Sequence, residues 1–495
     1  MVTNFKEFIE KIESCGENIF IEMDSSQPAV SYSELATRIK KAAVFITKST
    51  SKEDRILLYK LSELDWAIAY FAIIISGRIC VCLDKRANQD MFDSVIELTS
   101  PVQIIGSEAN NNKKKSHHNV AEMLVSTDDY LTAYSELETN PDGVCQIIFS
   151  SGTWSSPKGI ALSQKNILAS ITGSIFYNDH DKSKYYISIL PYSHIYGQVC
   201  GLVMNLYFGK TFIHLQPPVA TNLSLALNQY QPESLIVVPK ILDLLEKRIT
   251  KQLPLLTKLL WFRYLPVGIR RIIFQPILNK LGGHLKTFYV GGAPLNLMTD
   301  RFFQILGVNV CTGYGLTETT SLIFASKNQQ RQAGELGRII PGSIYRLNQN
   351  NEILVKGSTV FLGYWPNLTS SDEWFNTRDI AERDLRGNLI LKGRTSNLVI
   401  YPTGDKIFLD DIELAANTIN GVDESCAIYN QDSDVPELKI VVVSNEKNIS
   451  TAFEKHLRSK LPAFVNISKF IYTNQELPKT LSLKLNRKKI AEIYS

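Results

Sequence analysis

Short apolar runs alternate with helical patterns along the first three hundred residues of the chain. Arg55–Lys60, Ile79–Leu83, Val102–Ile105, Tyr185–Leu190, Thr211–Leu215, Ser234–Val238 and Leu285–Val290 are rich in Ile, Val and Leu and are bounded by polar or glycine-containing stretches. That is the pattern of short strands buried on both faces. Ile241–Ile249 and Thr299–Leu306 space their apolar residues as helices do. The alternation predicts an α/β architecture of stacked layers with largely parallel sheets. In such sheets ligands gather at loops beyond the carboxyl ends of strands. The most apolar stretch, Trp66 to Leu83, is divided by Gly77-Arg78 into a helix over 66–76 and a strand over 79–83. As a single helix it is too short to cross a bilayer.

From Gly334 to Leu391 the pattern changes to short strands separated by Gly and Asn turns, which predicts a small barrel-like unit. After Gly393-Arg394 there remain a helix over Asp410–Ile419, strands over Cys426–Tyr429 and Leu438–Val443, a helix over Thr451–Leu461 and a final basic helix. These alternations predict a large N-terminal domain, 1–394, and a small α+β C-terminal domain, 395–495, joined at the polar stretch Thr395-Ser396-Asn397. A chain of 495 residues is too long for one compact core. Its net charge of +4 gives no argument for nucleic acid, and no basic stripe with interleaved aromatics occurs. The seven cysteines are odd in number and mostly in apolar context, and Cys80-Val81-Cys82 has no His or Cys cluster beside it. They read as buried free thiols of a reducing, cytoplasmic compartment rather than as zinc ligands. The first residues carry early charge and no long apolar run, unlike a secretory signal.

The densest chemistry lies in Phe149-Ser150-Ser151-Gly152-Thr153-Trp154-Ser155-Ser156-Pro157-Lys158-Gly159. An apolar run, Val144–Phe149, precedes it; a second run leads into a helix that Ser163 is placed to cap. Small residues let a backbone approach a ligand, hydroxyls and amides donate to phosphate oxygens, and the lysine adds charge. Lys158 is followed by Gly159 rather than Ser or Thr, so this is not a Walker loop. On composition alone it reads equally as a phosphate-gripping loop or as a serine-rich surface turn.

The stretch resembles the phosphate loop of the adenylate-forming superfamily, which includes acyl-CoA synthetases, with Trp154 where a hydroxyl is usual and Ser155 where glycine is usual. Four further segments resemble that family in the same order. They are Leu190-Pro191-Tyr192-Ser193-His194-Ile195-Tyr196-Gly197, Thr312-Gly313-Tyr314-Gly315-Leu316-Thr317-Glu318-Thr319, Thr377-Arg378-Asp379 with Gly393-Arg394, and Leu477-Pro478-Lys479-Thr480-Leu481-Ser482-Leu483-Lys484. Leu483 stands where glycine is usual, and Arg378 likewise. The resemblance implies an ATP- and Mg²⁺-dependent ligase that turns a carboxylic acid into an acyl-adenylate and then a thioester of CoA or of a carrier-protein phosphopantetheine. It implies a phosphate grip from Ser150, Ser151, Gly152, Thr153 and Lys158, an adenine platform from Gly313, Tyr314 and Gly315, and further cofactor contacts from the loop residues Gly292 and Ala293. Thr317 would meet the α-phosphate, Glu318 would hold Mg²⁺, Asp379 would hold the ribose, and Arg394 would support the ribose or phosphate. Lys484 would be the catalytic lysine, with His194 also among the catalytic residues; His194, Tyr196, Gly197, Val290 and Gly291 would line the acyl pocket, and Gly404 would pass the pantetheine. The 395–397 junction would be a hinge.

No acidic residue lies between Asp181 and Glu233, where amino-acid-activating relatives place an aspartate for the substrate ammonium. That favours an aryl or fatty carboxylate. Leu255 to Leu281, apolar with interspersed Arg and Lys, reads as an amphipathic helix pair packed on the domain, with peripheral contact to a membrane surface as the other reading. The rival functions are an adenylation domain that loads a carrier protein and a nucleotide-binding homologue of weakened catalysis.

Overall fold

The computed structural model describes residues 2–17, 19–23, 28–106, 116–125, 129–149, 157–175, 184–215, 220–252, 262, 264–326, 334–368, 373–401, 405–430, 437–445, 450–480 and 485–494. They fall into two compact units, one of Met1–Ser150, Trp154–Tyr345 and Val355–Phe375, the other chiefly of Arg346–Leu354 and Asn376–Ser495.

The first unit holds two large sheets. One runs in the order Gly363–Trp365, Gly159–Ser163, Val144–Phe149, Ile79–Cys82, Arg55–Tyr59, Gln103–Gly106, Ser116–His118. Its neighbours pair in parallel from Val144–Phe149 onward, and the two strands at the other edge are antiparallel. The other sheet runs Arg338–Ile339, Phe324–Ser326, Asn309–Tyr314, Thr287–Val290, Ser234–Val237, Tyr185–Ser188, Thr211–Leu215, Ile19–Met23, Val30–Ser31, parallel through its middle. Each strand expected from the apolar runs is present within two residues of its expected start and end. Ile79–Cys82 and Gly159–Ser163 are buried at every position, so their sequences show no alternation.

Local chemistry sets the helix starts. Ser62 Oγ accepts from the Asp65 amide at 3.1 Å and opens the helix Glu63–Ile75, buried at every residue but Asp65. At the expected cap, Ser163 Oγ accepts from the Asn166 amide at 3.1 Å while Asn166 Oδ1 accepts from the Ser163 amide at 2.9 Å, a reciprocal pair that opens Gln164–Ile175. Within Leu255–Leu281 the described residues form two short helices, Val267–Ile273 and Gln275–Asn279. Their arginines turn inward: Arg271 Nη1 donates to the Leu285 carbonyl at 2.8 Å and Arg270 to that of Gln304.

In the second unit, Glu424–Asn430 and Lys469–Thr473 flank Glu437–Val443, antiparallel and parallel to it respectively. Helices Leu409–Asn417 and Ser450–Lys460 bury Ile412, Phe453 and Leu457 with Val442. The C-terminal helix Arg487–Tyr494 is anchored by Arg487, whose guanidinium holds Glu413 and Asp410 and donates to the Ala427 carbonyl at 3.1 Å. No helix among the described residues is long and apolar enough to cross a membrane.

Candidate active site

The chain leaves the strand Tyr185–Ser188, passes Pro191 to Tyr196, and winds on as a π-helix, Gly197–Val203. Such wide turns recur at functional sites. Gly197 is required by space: a Cβ there would stand 2.3 Å from the Pro191 carbonyl oxygen. The Tyr196 hydroxyl lies 3.2 Å from the Tyr289 carbonyl and 3.4 Å from that of Val237, so it is anchored at the ends of two neighbouring strands. Its ring lies against Gly291, where a Cβ would come within 3.0 Å of Cζ. Burial pushes its hydroxyl pKa well above the ordinary phenol value. The structure thus brings Tyr196, Gly197, Val290 and Gly291 together; Gly292, at φ +84°, and exposed Ala293 continue the loop.

His194 belongs to an ion cluster whose other members the sequence reading missed. Asp84, just beyond the strand Ile79–Cys82, accepts from the Arg86 amide and Nε through Oδ1, at 2.8 and 2.9 Å. Its Oδ2 accepts from Arg86 Nη2 and from Ser193 Oγ, both at 2.9 Å, and lies 3.1 Å from His194 Nε2. Burial alone would raise this carboxyl, but the hydrogen bonds and charges of Arg86 and His194 hold it far below the usual carboxylate range. Nε2 of His194 also lies 3.3 Å from Arg86 Nη2. Of the two neighbours only the carboxylate accepts, which assigns the hydrogen to Nε2. Buried Glu63, 3.6 Å from the Lys85 ammonium, accepts from the Tyr192 amide at 3.3 Å. The available signal was an acid followed by two cations at the end of an apolar run.

Gln146 and Gln198, both fully buried, exchange side-chain hydrogen bonds of 3.1 and 2.8 Å. They join the strand that feeds the phosphate loop to the π-helix that follows His194.

Ser150, Ser151, Gly152 and Thr153 lie outside the described residues, as do Gly404 and Lys484. Lys158 is described, and its ammonium sits 5.3 Å from the ring centroid of Tyr364. The Tyr364 hydroxyl donates to Glu318 Oε1 at 3.0 Å. Thr317 and Glu318 lie on a single 3-10 turn, Thr317–Thr319, after the strand Asn309–Tyr314. Gly315 before the turn is packed so closely that a Cβ would meet the Ser321 carbonyl at 2.2 Å, and at Gly313 one would come 2.9 Å from Leu322. Residues 359–365 lace this turn to the strand after the phosphate loop. Thr320 Oγ1 donates to the Thr359 carbonyl at 2.7 Å, the Phe361 amide to the Glu318 carbonyl at 2.9 Å and the Leu362 amide to the Ala161 carbonyl at 2.9 Å. A single half-buried carboxylate, one oxygen held and the other without a hydrogen-bond donor among the described residues, suits Mg²⁺, which takes its remaining ligands from phosphates and water.

Asp379 and Arg394 belong to the second unit and form an ion pair, Nε to Oδ1, of 2.9 Å across two antiparallel strands. The Asp379 side chain is 4% exposed and that of Arg394 50%. Arg378, in the glycine position of the motif, has φ +59°, the left-handed conformation that explains why glycine is usual there. The 395–397 junction is a 3-10 turn; Thr395 Oγ1 donates to Glu352 Oε1 at 2.6 Å and Asn397 Nδ2 to Asp410 Oδ2 at 3.0 Å.

The chain is 24% identical over 437 residues to a long-chain-fatty-acid–CoA ligase of Mycobacterium bovis, covering 76% of this chain and 71% of that one. It is 25% identical to long-chain-fatty-acid–CoA ligase 1 of Saccharomyces cerevisiae, over 68% of this chain and 54% of the relative. Among solved structures, o-succinylbenzoate CoA synthetase of Bacillus subtilis with its acyl-adenylate intermediate superposes with a TM-score of 0.80 at 19% identity, over 98% of this chain and 97% of that one. ATP-bound MatB of Rhodopseudomonas palustris gives 0.79 at 21% identity, over 100% and 99%. These likenesses show the fold. The sequence model of the AMP-binding enzyme family matches residues 13–365, which span the His194 loop, the Glu318 turn and Tyr364, and the chain belongs to that family.

Proposed function

We propose that the protein is an AMP-forming acid–thiol ligase that converts a carboxylic acid, aryl or fatty, into an acyl-adenylate and then into a thioester of CoA. The observation that carries the reading is the joining of Lys158 to Glu318 through Tyr364, in a unit that also holds the Tyr196–Gly291 contact. A carboxylate oxygen is a poor leaving group; transfer of AMP from ATP makes the acyl carbon open to a thiol and releases pyrophosphate. Lys158 and the hydroxyls of Ser150, Ser151 and Thr153 would grip the outer phosphates, with Gly152 allowing close approach. Glu318 would hold Mg²⁺, which supplies charge neutralisation at the phosphates. Gly313, Tyr314 and Gly315, with Gly292 and Ala293, would seat adenine, and Asp379 and Arg394 the ribose. Lys484 would neutralise the charge shared by carboxylate and α-phosphate, assisted by Thr317.

His194, Tyr196, Gly197, Val290 and Gly291 would take the acyl tail. The relatives' names support CoA as the thiol, admitted past Gly404 once a turn at Thr395–Asn397 withdraws Lys484; a carrier pantetheine remains the alternative acceptor. Peripheral membrane contact at a fatty substrate's source is supported by Tyr264 and Ile272, each 76% exposed on the described part of the 255–281 stretch. A cytoplasmic enzyme is the reading the cysteines support.

Lys484→Ala decides the catalytic assignment. Carboxylate-dependent ATP–pyrophosphate exchange should fall by about 10²–10³, the usual worth of such a contact. Thioester formation from supplied acyl-adenylate should persist. Equal loss of both half-reactions would refute the role of Lys484, and no exchange by the unaltered protein with any aryl or fatty acid would refute the ligase reading.

A further inference from the structure

We infer that Tyr364 is a positioning residue for both halves of the nucleotide grip: its hydroxyl fixes the Glu318 carboxylate and its ring holds the Lys158 ammonium. The inference rests on the reading of Glu318 as the magnesium carboxylate and of Lys158 as a phosphate cation, and it adds a residue that neither motif contains.

The placement of Tyr364 is set by backbone pairing. Gly363–Trp365 lies antiparallel to Gly159–Ser163, with Tyr364 opposite Ile160, two residues after Lys158. The same segment reaches Glu318 twice, through the Phe361 amide to its carbonyl at 2.9 Å and through the Tyr364 hydroxyl to Oε1 at 3.0 Å. Phe361 braces the tyrosine ring edge-on at 5.0 Å. A carboxylate tied at its backbone and at one oxygen has little rotational freedom left, so its other oxygen is pre-aimed for an ion. The ring face at the same time attracts the Lys158 ammonium, 5.3 Å from its centroid, and keeps that long side chain near the loop exit before phosphate arrives. One side chain thereby holds two charges of opposite sign, separated by 160 positions in sequence, in a fixed relation.

Two variants separate the two functions. Tyr364→Phe removes the hydroxyl and keeps the ring; Tyr364→Leu removes both. ATP binding is measured by calorimetry with no carboxylate present, across a series of free Mg²⁺ concentrations and in EDTA, on variants whose melting transitions match the unaltered protein. For Tyr364→Phe, the Mg²⁺ concentration that half-saturates the gain in ATP affinity should rise about 10-fold or more, the usual effect of losing an outer partner of a metal ligand. Binding in EDTA should be unchanged. Tyr364→Leu should in addition weaken ATP binding in EDTA by about two- to fivefold, the worth of an exposed cation–π contact. A wild-type Mg²⁺ profile for Tyr364→Phe, or an equal loss with and without Mg²⁺, overturns the inference, and Tyr364→Phe alone decides it if the leucine variant does not fold. Glu318→Gln is the control. If it leaves the Mg²⁺ profile intact, the metal reading of Glu318 fails and this inference with it. If it abolishes Mg²⁺ dependence while Tyr364→Phe does not shift it, only the role of Tyr364 fails.

Discussion

His214 sits in the strand Thr211–Leu215 with no solvent exposure, its ring 4.8 Å edge-on from Tyr192 of the His194 loop. Neither ring nitrogen has a hydrogen-bond partner among the described residues. Burial first, and the charge of Lys85 second, push its pKa down from 6.5 to about 3. An unfolded chain protonates this histidine as the pH falls below 6.5, while the folded chain refuses the proton until about 3. Stability is therefore unaffected above 6.5 and is lost progressively between those two values. Linkage puts the loss at about 1.4 kcal/mol near pH 5.5 and about 2 kcal/mol near pH 5. His214→Phe keeps a planar ring and removes both the titration and the unpaired nitrogens, a gain of about 1–3 kcal/mol at neutral pH. Guanidinium unfolding of both proteins at pH 7.5, 6.5, 5.5 and 5.0 isolates this residue, because every other titrating group cancels in the difference. The stability gap should widen by about 2 kcal/mol from the highest pH to the lowest. Parallel curves would show that His214 is hydrogen-bonded or hydrated, and the burial argument would be wrong.

Gly291→Ala places a Cβ 3.0 Å from the Tyr196 ring, which is hydrogen-bonded at its far end and has little room to move. KM for the carboxylate should rise about 10-fold, from about 1.4 kcal/mol of misplacement, while KM for ATP stays within about twofold; equal effects on both would refute a pocket role. Asp84→Asn keeps the shape but not the charge to which Arg86, Ser193 and His194 are tied. Exchange activity per carboxylate KM should fall at least about 10-fold, the worth of one charge-assisted hydrogen bond, and wild-type values would refute the coupling. Arg378→Gly relieves the left-handed backbone at φ +59° and should raise unfolding stability by up to about 1 kcal/mol, since glycine's extra unfolded entropy offsets part of the gain; a destabilised variant would show that the arginine side chain contributes more than the strain.

The fold was largely legible because its strands are buried on both faces. Ile79–Cys82 and Ser234–Val237 bury every residue, so each appears as an unbroken apolar run whatever its partners. Ser163 was legible as a cap because capping is local. The strand Gly363–Trp365 was not. It lies in a stretch of Gly and Asn turns that reads as part of a barrel-like unit, yet it pairs with Gly159–Ser163 some two hundred positions earlier. Period and composition report which face of an element is buried, not which edge it joins, and Tyr364 owes its place to an edge. The same holds for Gln146 with Gln198, two unremarkable amides in sequence that satisfy each other only because the strand Val144–Phe149 meets the π-helix there.

Carboxylates from distant segments also reach the His194 loop. The absence of acids between Asp181 and Glu233 describes one segment, but the neighbours of His194 and Tyr192 come from several. Asp84 brings a carboxylate to within 3.1 Å of His194, and Glu63 brings another to the Tyr192 amide. What would deny an α-ammonium its counter-ion is then not the lack of carboxylates but their prior use. Both oxygens of Asp84 are taken by Arg86, and one of them also by Ser193 and His194; Glu63 faces Lys85. An ammonium entering beside His194 would meet a guanidinium and a histidine N–H before it met a free carboxylate, and an unpaired charge there is costly to bury. A preference for a neutral-tailed acid would therefore rest on Arg86 as much as on any gap in the sequence.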